Sequence, residues 1–464
     1  MKSYAEFVAG KRLVAPPAGL DGPFALSPLL MPFQADLTAW ALRRGRAAIW
    51  ADCGLGKSWM ALEWARVIVE RTGGRALILT PLAVARQFEG EGRKLGIPVR
   101  VLRDGRDAGA GINVINYDRL HLIDPAAYVA VVADESSCLK DYTSATRNAL
   151  IEAFAGTPYR LACTATPAPN DYMELGNHAE FLGVMNRTEM LSMFFCHDGG
   201  DTQSWRLKGH AEADFWRWLS SWAANVRRPS DLGYPDGAFL LPAMAIKEHV
   251  VESDLSAMAR EAGQLFVTGA NTLIEQRAAR RESLAARVGV CVGLANASDE
   301  AWLIWCDLNA ESEALAAAIP DAVEVRGSDD ADEKERRLFD FIEGRARVLV
   351  TKPSIAGWGL NLQHCRNVAF VGLSHSFEAW YQAVRRSWRF GQAREVRCHL
   401  ITSSAEGAVL ANLKRKQADA ERMDAAMVEH MRVFVRANVH ATGRESTGYA
   451  PSLPMAAPAW EVGA

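Results

Sequence analysis

Three groups of residues carry side chains suited to phosphate chemistry. Gly54-Leu55-Gly56-Lys57-Ser58 combines two glycines, an ammonium and a hydroxyl, after the short apolar run Ala48-Ile49-Trp50 and before a helical pattern that starts at Trp59. In that context glycines let backbone N–H groups approach phosphate oxygens, and the helix N-terminus adds positive potential. Lys57 then neutralises β- and γ-phosphate charge and Ser58 ligates Mg²⁺. Ala51 stands where the full GxxxxGK pattern begins with glycine, so a chance glycine-rich turn competes with this reading of the stretch taken alone. The second group, Val131-Val132-Ala133-Asp134-Glu135-Ser136-Ser137, is an apolar strand that ends on two acids. At the carboxyl edge of a parallel sheet Asp134 would hold the metal through water, and Glu135 would orient and activate an attacking water. The third group, Gln382-Ala-Val-Arg385-Arg386-Ser-Trp388-Arg389-Phe-Gly391-Gln392, supplies arginines from far downstream. A site built from all three makes nucleotide binding and the closure of two domains one event.

These groups need strands that end together on one edge. Short apolar runs recur with helical segments between them: 48–50, 76–80, 112–117, 128–133 and 160–164, then 302–305, 323–325, 347–351, 368–371 and 397–402. The alternation predicts an α/β fold with two parallel sheets covered by helices on both faces. The expected division is a lead-in over 1–24, a first α/β domain over 25–175, a mainly helical insertion over 176–284, a second α/β domain over 285–435 and a disordered tail over 436–464. The insertion is rich in Trp, Phe and charge. Phe215, Trp218, Leu219 and Trp222 recur at helical spacing and predict a buried face rather than a platform for stacked bases, whereas Trp205 and Trp216 fall off that stripe. The segment 403–436 predicts helices packing back across the second domain.

The chain has 464 residues, more than one ordinary core accommodates, and its 52 Lys and Arg against 55 Asp and Glu give a formal charge of -3. Attraction to nucleic acid would therefore come from local patches. Eight cysteines stand singly without a CxxC pair, which predicts buried thiols in a reducing compartment rather than disulfides or zinc. No window approaches the length of a membrane span, so the expected location is the cytoplasm.

The order of motifs resembles helicase superfamily 2, most closely its Swi/Snf-like (DEAD/DEAH-box type) branch. Leu30-Met-Pro-Phe33-Gln34 is similar to the segment in which a glutamine reads adenine, and Ala51-Asp52-Cys53-Gly54-Leu55-Gly56-Lys57-Ser58 to the family's phosphate loop. Leu79-Thr80-Pro81-Leu82 with Gln87-Phe88 and Glu91 resembles the DNA-tracking segment, and Asn116-Tyr117-Asp118 the one after it. Asp134-Glu135-Ser136-Ser137 stands in place of Asp-Glu-Ala-His, and Thr164-Ala165-Thr166-Pro167 with Asn170 stands where hydrolysis is coupled to movement. Thr351-Lys352 through Gly357-Trp-Gly359-Leu360-Asn361-Leu362 resembles the segment that touches nucleotide and DNA. Residues 382–392 resemble the arginine-finger motif, with Arg385 and Trp388 replacing its usual Asp and His. Asp-Glu-Ser-Ser, the Phe194-Phe-Cys-His-Asp-Gly-Gly stretch and the compact length resemble small helicase-like ATPases of phages and prophages.

The resemblance implies two tandem RecA-like P-loop domains and a nucleic-acid-dependent ATPase that uses ATP and Mg²⁺. It implies catalytic roles for Lys57, Asp134, Glu135, Arg386 and Arg389, with the metal at Ser58 and Asp134. Nucleotide contacts would come from Gln34, Gly54, Leu55, Gly56, Lys57, Ser58, Gly359 and Gln382, nucleic-acid contacts from Arg86, Gln87, Asn116, Lys352 and Asn361, and coupling from Thr164 and Thr166. A tract around Arg277, Arg280, Arg281 and Arg287 reads equally as a phosphate grip or as a solvated face paired with Glu275 and Glu282. The expected activity is translocation on duplex DNA. A strand-separating DNA or RNA helicase, a nucleotide-gated binding module and the motor subunit of a restriction or repair assembly with a separate nuclease remain open at this point.

Overall fold

The computed structural model describes residues 14–81, 84–139, 143–168, 171–198, 201–252, 280–356, 360–373, 376–404 and 407–440. Gly359 and the tail beyond His440 lie outside the described residues, as do Arg277 and Asn170.

The chain opens with α1 (Pro32–Arg44), β1 (Arg46–Ala51), α2 (Lys57–Thr72), β2 (Arg75–Thr80), α3 (Ala85–Leu95), β3 (Val99–Val101), β4 (Gly111–Asn116) and β5 (Ala130–Asp134). It continues through α4 (Ala145–Ala153), β6 (Tyr159–Thr164), α5 (Leu175–Leu182), α6 (Arg187–Phe194), β7 (Phe195–Asp198), β8 (Asp201–Leu207), α7 (Glu212–Ser220), β9 (Ala223–Val226) and β10 (Met244–Val251). The remainder is α8 (Leu284–Asn296), β11 (Trp302–Cys306), α9 (Asn309–Ala318), β12 (Ala322–Glu324), α10 (Ala331–Ile342), β13 (Val348–Thr351), α11 (Pro353–Ala356), β14 (Asn367–Val371), α12 (Phe377–Val384), β15 (Val396–Ser403) and α13 (Gly407–His440).

Two sheets result, in the order β3-β4-β2-β5-β6-β1-β9 and β10-β15-β14-β11-β13-β12. All their pairings are parallel. This is the α/β architecture with two parallel sheets that the recurring apolar runs predict. Buried strands such as Ala47-Ala48-Ile49-Trp50 need apolar side chains on both faces, and helices cover those faces. Register makes the strand ends level: Trp50 pairs with Thr164, Asp134 with Cys163 and Thr80 with Asn116. The three groups' first-lobe members therefore share one carboxyl edge.

The stretch expected to be a mainly helical insertion carries strands as well as helices. β7 and β8 form an antiparallel hairpin, β9 extends the first sheet beside β1, and β10 extends the second beside β15. Ala223-Ala-Asn-Val226 has little β-branched character, and it is a strand because Ala48–Ala51 offers it a buried edge. Within α7 the predicted face is buried, and so is Trp216, which stacks on His430 of α13 at a centroid distance of 5.1 Å.

α13 corrects a second expectation. Its Met427, Met431, Val435 and Val439 form a stripe at four-residue spacing, and that stripe is buried in the core of the first lobe rather than across the second. Arg436 donates to Asp231 O at 2.7 Å and Asn438 to Ser220 O at 2.9 Å, fixing the helix there.

Candidate nucleotide site between the lobes

β1 delivers the chain to Asp52, and the turn that follows has Gly54 at φ 92° and Gly56 at φ 84°, the left-handed region open to glycine. Both positions are also crowded. A methyl group on Gly56 would lie 2.3 Å from Nε2 of Gln34, and one on Gly54 would lie 2.9 Å from Phe390 of the second lobe. α2 starts at Lys57 with no side chain capping it, so its first N–H groups are left for an anion. Lys57 is buried, and its Nζ donates to the carbonyl of Ala51 at 2.8 Å and to that of Asp52 at 3.5 Å. Gln34 is buried beside the loop, accepting from Met31 N at 2.9 Å and donating to Leu55 O at 2.9 Å.

Asp134 and Glu135 are buried at the end of β5. Tyr117 donates its hydroxyl to Asp134 O at 2.6 Å, and Thr80 donates to Asp134 Oδ2 at 3.4 Å. Burial, then the neighbouring Glu135, pushes the Asp134 carboxyl well above the usual range, with Lys57, Thr80 and Arg386 pulling the other way. Glu135 sits at φ 53°, a conformation that costs a residue with a side chain about 1–3 kcal/mol and is concentrated at functional sites. Its buried Oε2 has no hydrogen-bond partner among the described residues, and neither does Thr166 Oγ1. Thr164 Oγ1 accepts from Thr166 N at 3.1 Å, which holds the coupling segment in its turn.

The arginines come from α12 and the turn after it. Ser376 caps that helix, accepting from Ala379 N at 3.1 Å. Arg386 donates to Gln382 O and Gln382 Oε1, both at 2.9 Å, and to Leu360 O at 3.4 Å. Arg389 donates to Leu360 O at 3.2 Å. Burial, then Arg386 beside it, lowers the Arg389 pKa to about 10. Neither guanidinium is ion-paired within the described residues, and Arg389 Nε lacks a partner there. A cation as buried as Arg386 is costly unless an anion joins it.

The lobes touch across this site. Arg385 donates to Asp52 Oδ2 at 2.5 Å and to Cys53 O at 3.1 Å, and Tyr381 donates to Asp52 Oδ1 at 2.9 Å. Phe239, on the crossing segment, stacks on Phe390 at 4.6 Å and meets Phe33 edge-on at 5.3 Å. A cavity of about 710 Å³ opens beside Asp52, Leu55, Thr166, Tyr381 and Arg385. That volume is within the range of small-molecule sites.

Of the expected site residues, Leu55 and Thr166 line this cavity, Gln34 is bonded to the loop at Leu55, and Lys57, Glu135 and Arg386 stand close enough to Asp134 to act on its charge. The expected nucleic-acid contacts are more dispersed. Arg86 and Asn361 are exposed, and Gln87 and Lys352 half-buried. Asn116 is buried, its Oδ1 accepting from Arg119 N at 3.1 Å as the cap of a short helical turn. In the arginine tract, Arg280 is buried against Asp307, and Arg287 is buried against Glu311 at 2.6 Å. These two hold the second lobe together instead of gripping a backbone. Sequence reasoning assigned no role to Asp52, Tyr117 or Tyr381, and noted Arg385 only as a replacement. The signal available was an acid on the phosphate loop and a base in the arginine segment, opposite charges with no local partner.

No protein-family model and no curated protein matches the chain. Among solved structures it is similar to the Sulfolobus solfataricus SWI2/SNF2 ATPase core in complex with dsDNA, at 17% identity and a TM-score of 0.41, over 90% of this chain and 98% of that one. At that distance the functional argument rests on the site itself. No described helix is long and apolar enough to cross a membrane.

Proposed function

We propose that the protein is an ATP-hydrolysing motor that acts on nucleic acid, with duplex DNA as its track. One observation carries the ATPase part: an uncapped glycine-loop helix with Lys57 and two acids in one lobe is met from the other by the buried Arg386 and the half-buried Arg389, neither of them ion-paired among the described residues. Such a cleft fits a polyphosphate, and the glycine cradle and the orphaned Glu135 Oε2 fit a metal-bound nucleotide. Mg²⁺, held by Ser58 and through water by Asp134, would supply charge neutralisation at the β- and γ-phosphates.

Glu135 takes the proton from water as its oxygen bonds to the γ-phosphorus and the bond to the bridging oxygen breaks, that oxygen leaving with ADP. Lys57, Arg386 and Arg389 stabilise the charge on the transferring group. The choice of duplex DNA rests on the motif order, and the likeness to compact phage-encoded proteins on Asp134-Glu135-Ser136-Ser137, the stretch 194–200 and the length of the chain. Steady-state ATP hydrolysis with Mg²⁺, alone and with blunt duplex DNA, single-stranded DNA or RNA, tests the reading beside Glu135→Gln. Duplex stimulation that the variant abolishes supports it. Stronger stimulation by single strands favours an unwinding helicase, and wild-type turnover no higher than that of Glu135→Gln overturns the ATPase assignment.

A further inference from the structure

We propose that Asp52 and Arg385 form a cross-lobe positioning pair that sets the arginine segment in register with the phosphate loop. The inference rests on the nucleotide-site reading above and adds to it two residues to which that reading gives no contact with the transferring phosphate or the attacking water. Asp52 is the last residue before the glycine turn. Its Oδ1 accepts Cys53 N at 2.6 Å, and its backbone oxygen receives Lys57 Nζ at 3.5 Å. Arg385 directly precedes Arg386 and lies one helical turn before Arg389.

The geometry of the contact is specific. The Arg385 side chain is 3% exposed and that of Asp52 22%, and the guanidinium also reaches Cys53 O, so it reads loop backbone as well as carboxylate. It lies 5.1 Å from the Trp388 ring and 5.7 Å from the Tyr381 ring, and Trp388 is itself tied by Nε1 to Pro242 O at 2.7 Å. A guanidinium held between rings presents a fixed fork, which a lysine does not. Sliding the arginine segment along the loop would break the contacts of Arg385 and Tyr381 to Asp52 and of Arg385 to Cys53 O together. Gly54 packing against Phe390 leaves no room for a side chain to take up the slack. The pair therefore does more than hold two lobes together: it fixes where Arg386 and Arg389 stand relative to Lys57. A displacement of about 1 Å in a positioning contact can cost 10²-fold in rate.

The test separates this role from plain adhesion and from the ATPase reading. Hydrogen exchange of the full-length protein is followed at residues 52–58 and 381–392 in wild type, Asp52→Asn, Arg385→Gln and the double variant. Each single change is expected to speed exchange in both segments, although they belong to different lobes, and the double variant to add little. Acceleration confined to the mutated lobe, or strictly additive effects, would overturn the pair. Turnover then reads the positioning: Arg385→Gln is expected to lower kcat about 10²-fold with KM for ATP changed less than about threefold, and Arg385→Lys to recover only part of it. Unchanged kcat in a variant whose cross-lobe exchange has risen would show adhesion without positioning and defeat the proposal. If wild type matches Glu135→Gln, the ATPase reading fails, and exchange still decides whether the pair exists.

Discussion

The two lobes each place a helix after a buried strand, and they treat its N-terminus in opposite ways. In the first lobe, β1 leads through Gly54 and Gly56 to α2, whose N-terminus no side chain caps. In the second, β11 leads directly to α9, where the Glu311 carboxylate accepts from Asp307 N at 3.0 Å and Leu308 N at 2.9 Å. Glu311 thereby occupies the kind of position an anion would take, and the fully buried Arg287 neutralises it at 2.6 Å. One lobe leaves its strand–helix turn open for a ligand, and the other fills the same kind of turn with its own side chain. On the proposed reading, an anion entering the cleft would be bound by backbone from one side and by arginines from the other.

The largest effect expected from this contrast is on the open side. Lys57→Ala should reduce turnover about 10³-fold, about 4 kcal/mol of barrier, in a steady-state ATPase assay with folding checked by circular dichroism. Turnover within threefold of wild type would mean that the open turn is not the phosphate site.

On the filled side, Glu311→Gln leaves a cation buried without its countercharge, and removing one partner of such a pair costs roughly 3 kcal/mol or more. Denaturant unfolding followed by far-UV circular dichroism should show that loss, and a change below about 1 kcal/mol would show that the turn does not depend on its internal anion. A smaller effect is expected at Gly56→Ala, where a left-handed conformation costs an alanine about 1–2 kcal/mol and the new methyl group meets Gln34. Weaker ATP binding with a modest fall in melting temperature is the predicted result, measured by titration and thermal unfolding.

The smallest effect concerns pH and belongs to the second lobe. Burial, then His249, lowers the His399 pKa to about 4, and the two rings share a hydrogen bond at 2.9 Å. Because the folded value is below the unfolded one of about 6.5, the unfolded chain takes up the proton first, and stability is lost as pH falls from about 6.5 to about 4. His399→Gln should flatten that slope in denaturant titrations across this window; an unchanged slope would assign it to other groups.

Much of the cleft was legible because its signals are local. Gly54-Leu55-Gly56-Lys57 and Asp134-Glu135 each sit within a few residues of the strand that delivers them, and the apolar runs and helical patterns around them are strong. Asp52 and Arg385 lay beyond such reasoning, since an ion pair between residues far apart in sequence leaves no periodic trace. The same holds for Arg280 and Arg287, whose charges read equally as a phosphate grip or as a solvated face, while the structure sets them against Asp307 and Glu311. β9 hid in an alanine-rich tetrapeptide that becomes a strand only through its neighbour, and α13 showed its apolar stripe without showing which lobe would bury it.

The central claim is that arginines of the second lobe complete a phosphate site in the first. Arg389→Ala tests it most directly, with ATP binding and nucleic-acid-stimulated hydrolysis measured on the same preparation. Retained binding with stimulated turnover down by about 10³-fold or more is the predicted result. Wild-type stimulated turnover in that variant would contradict the account.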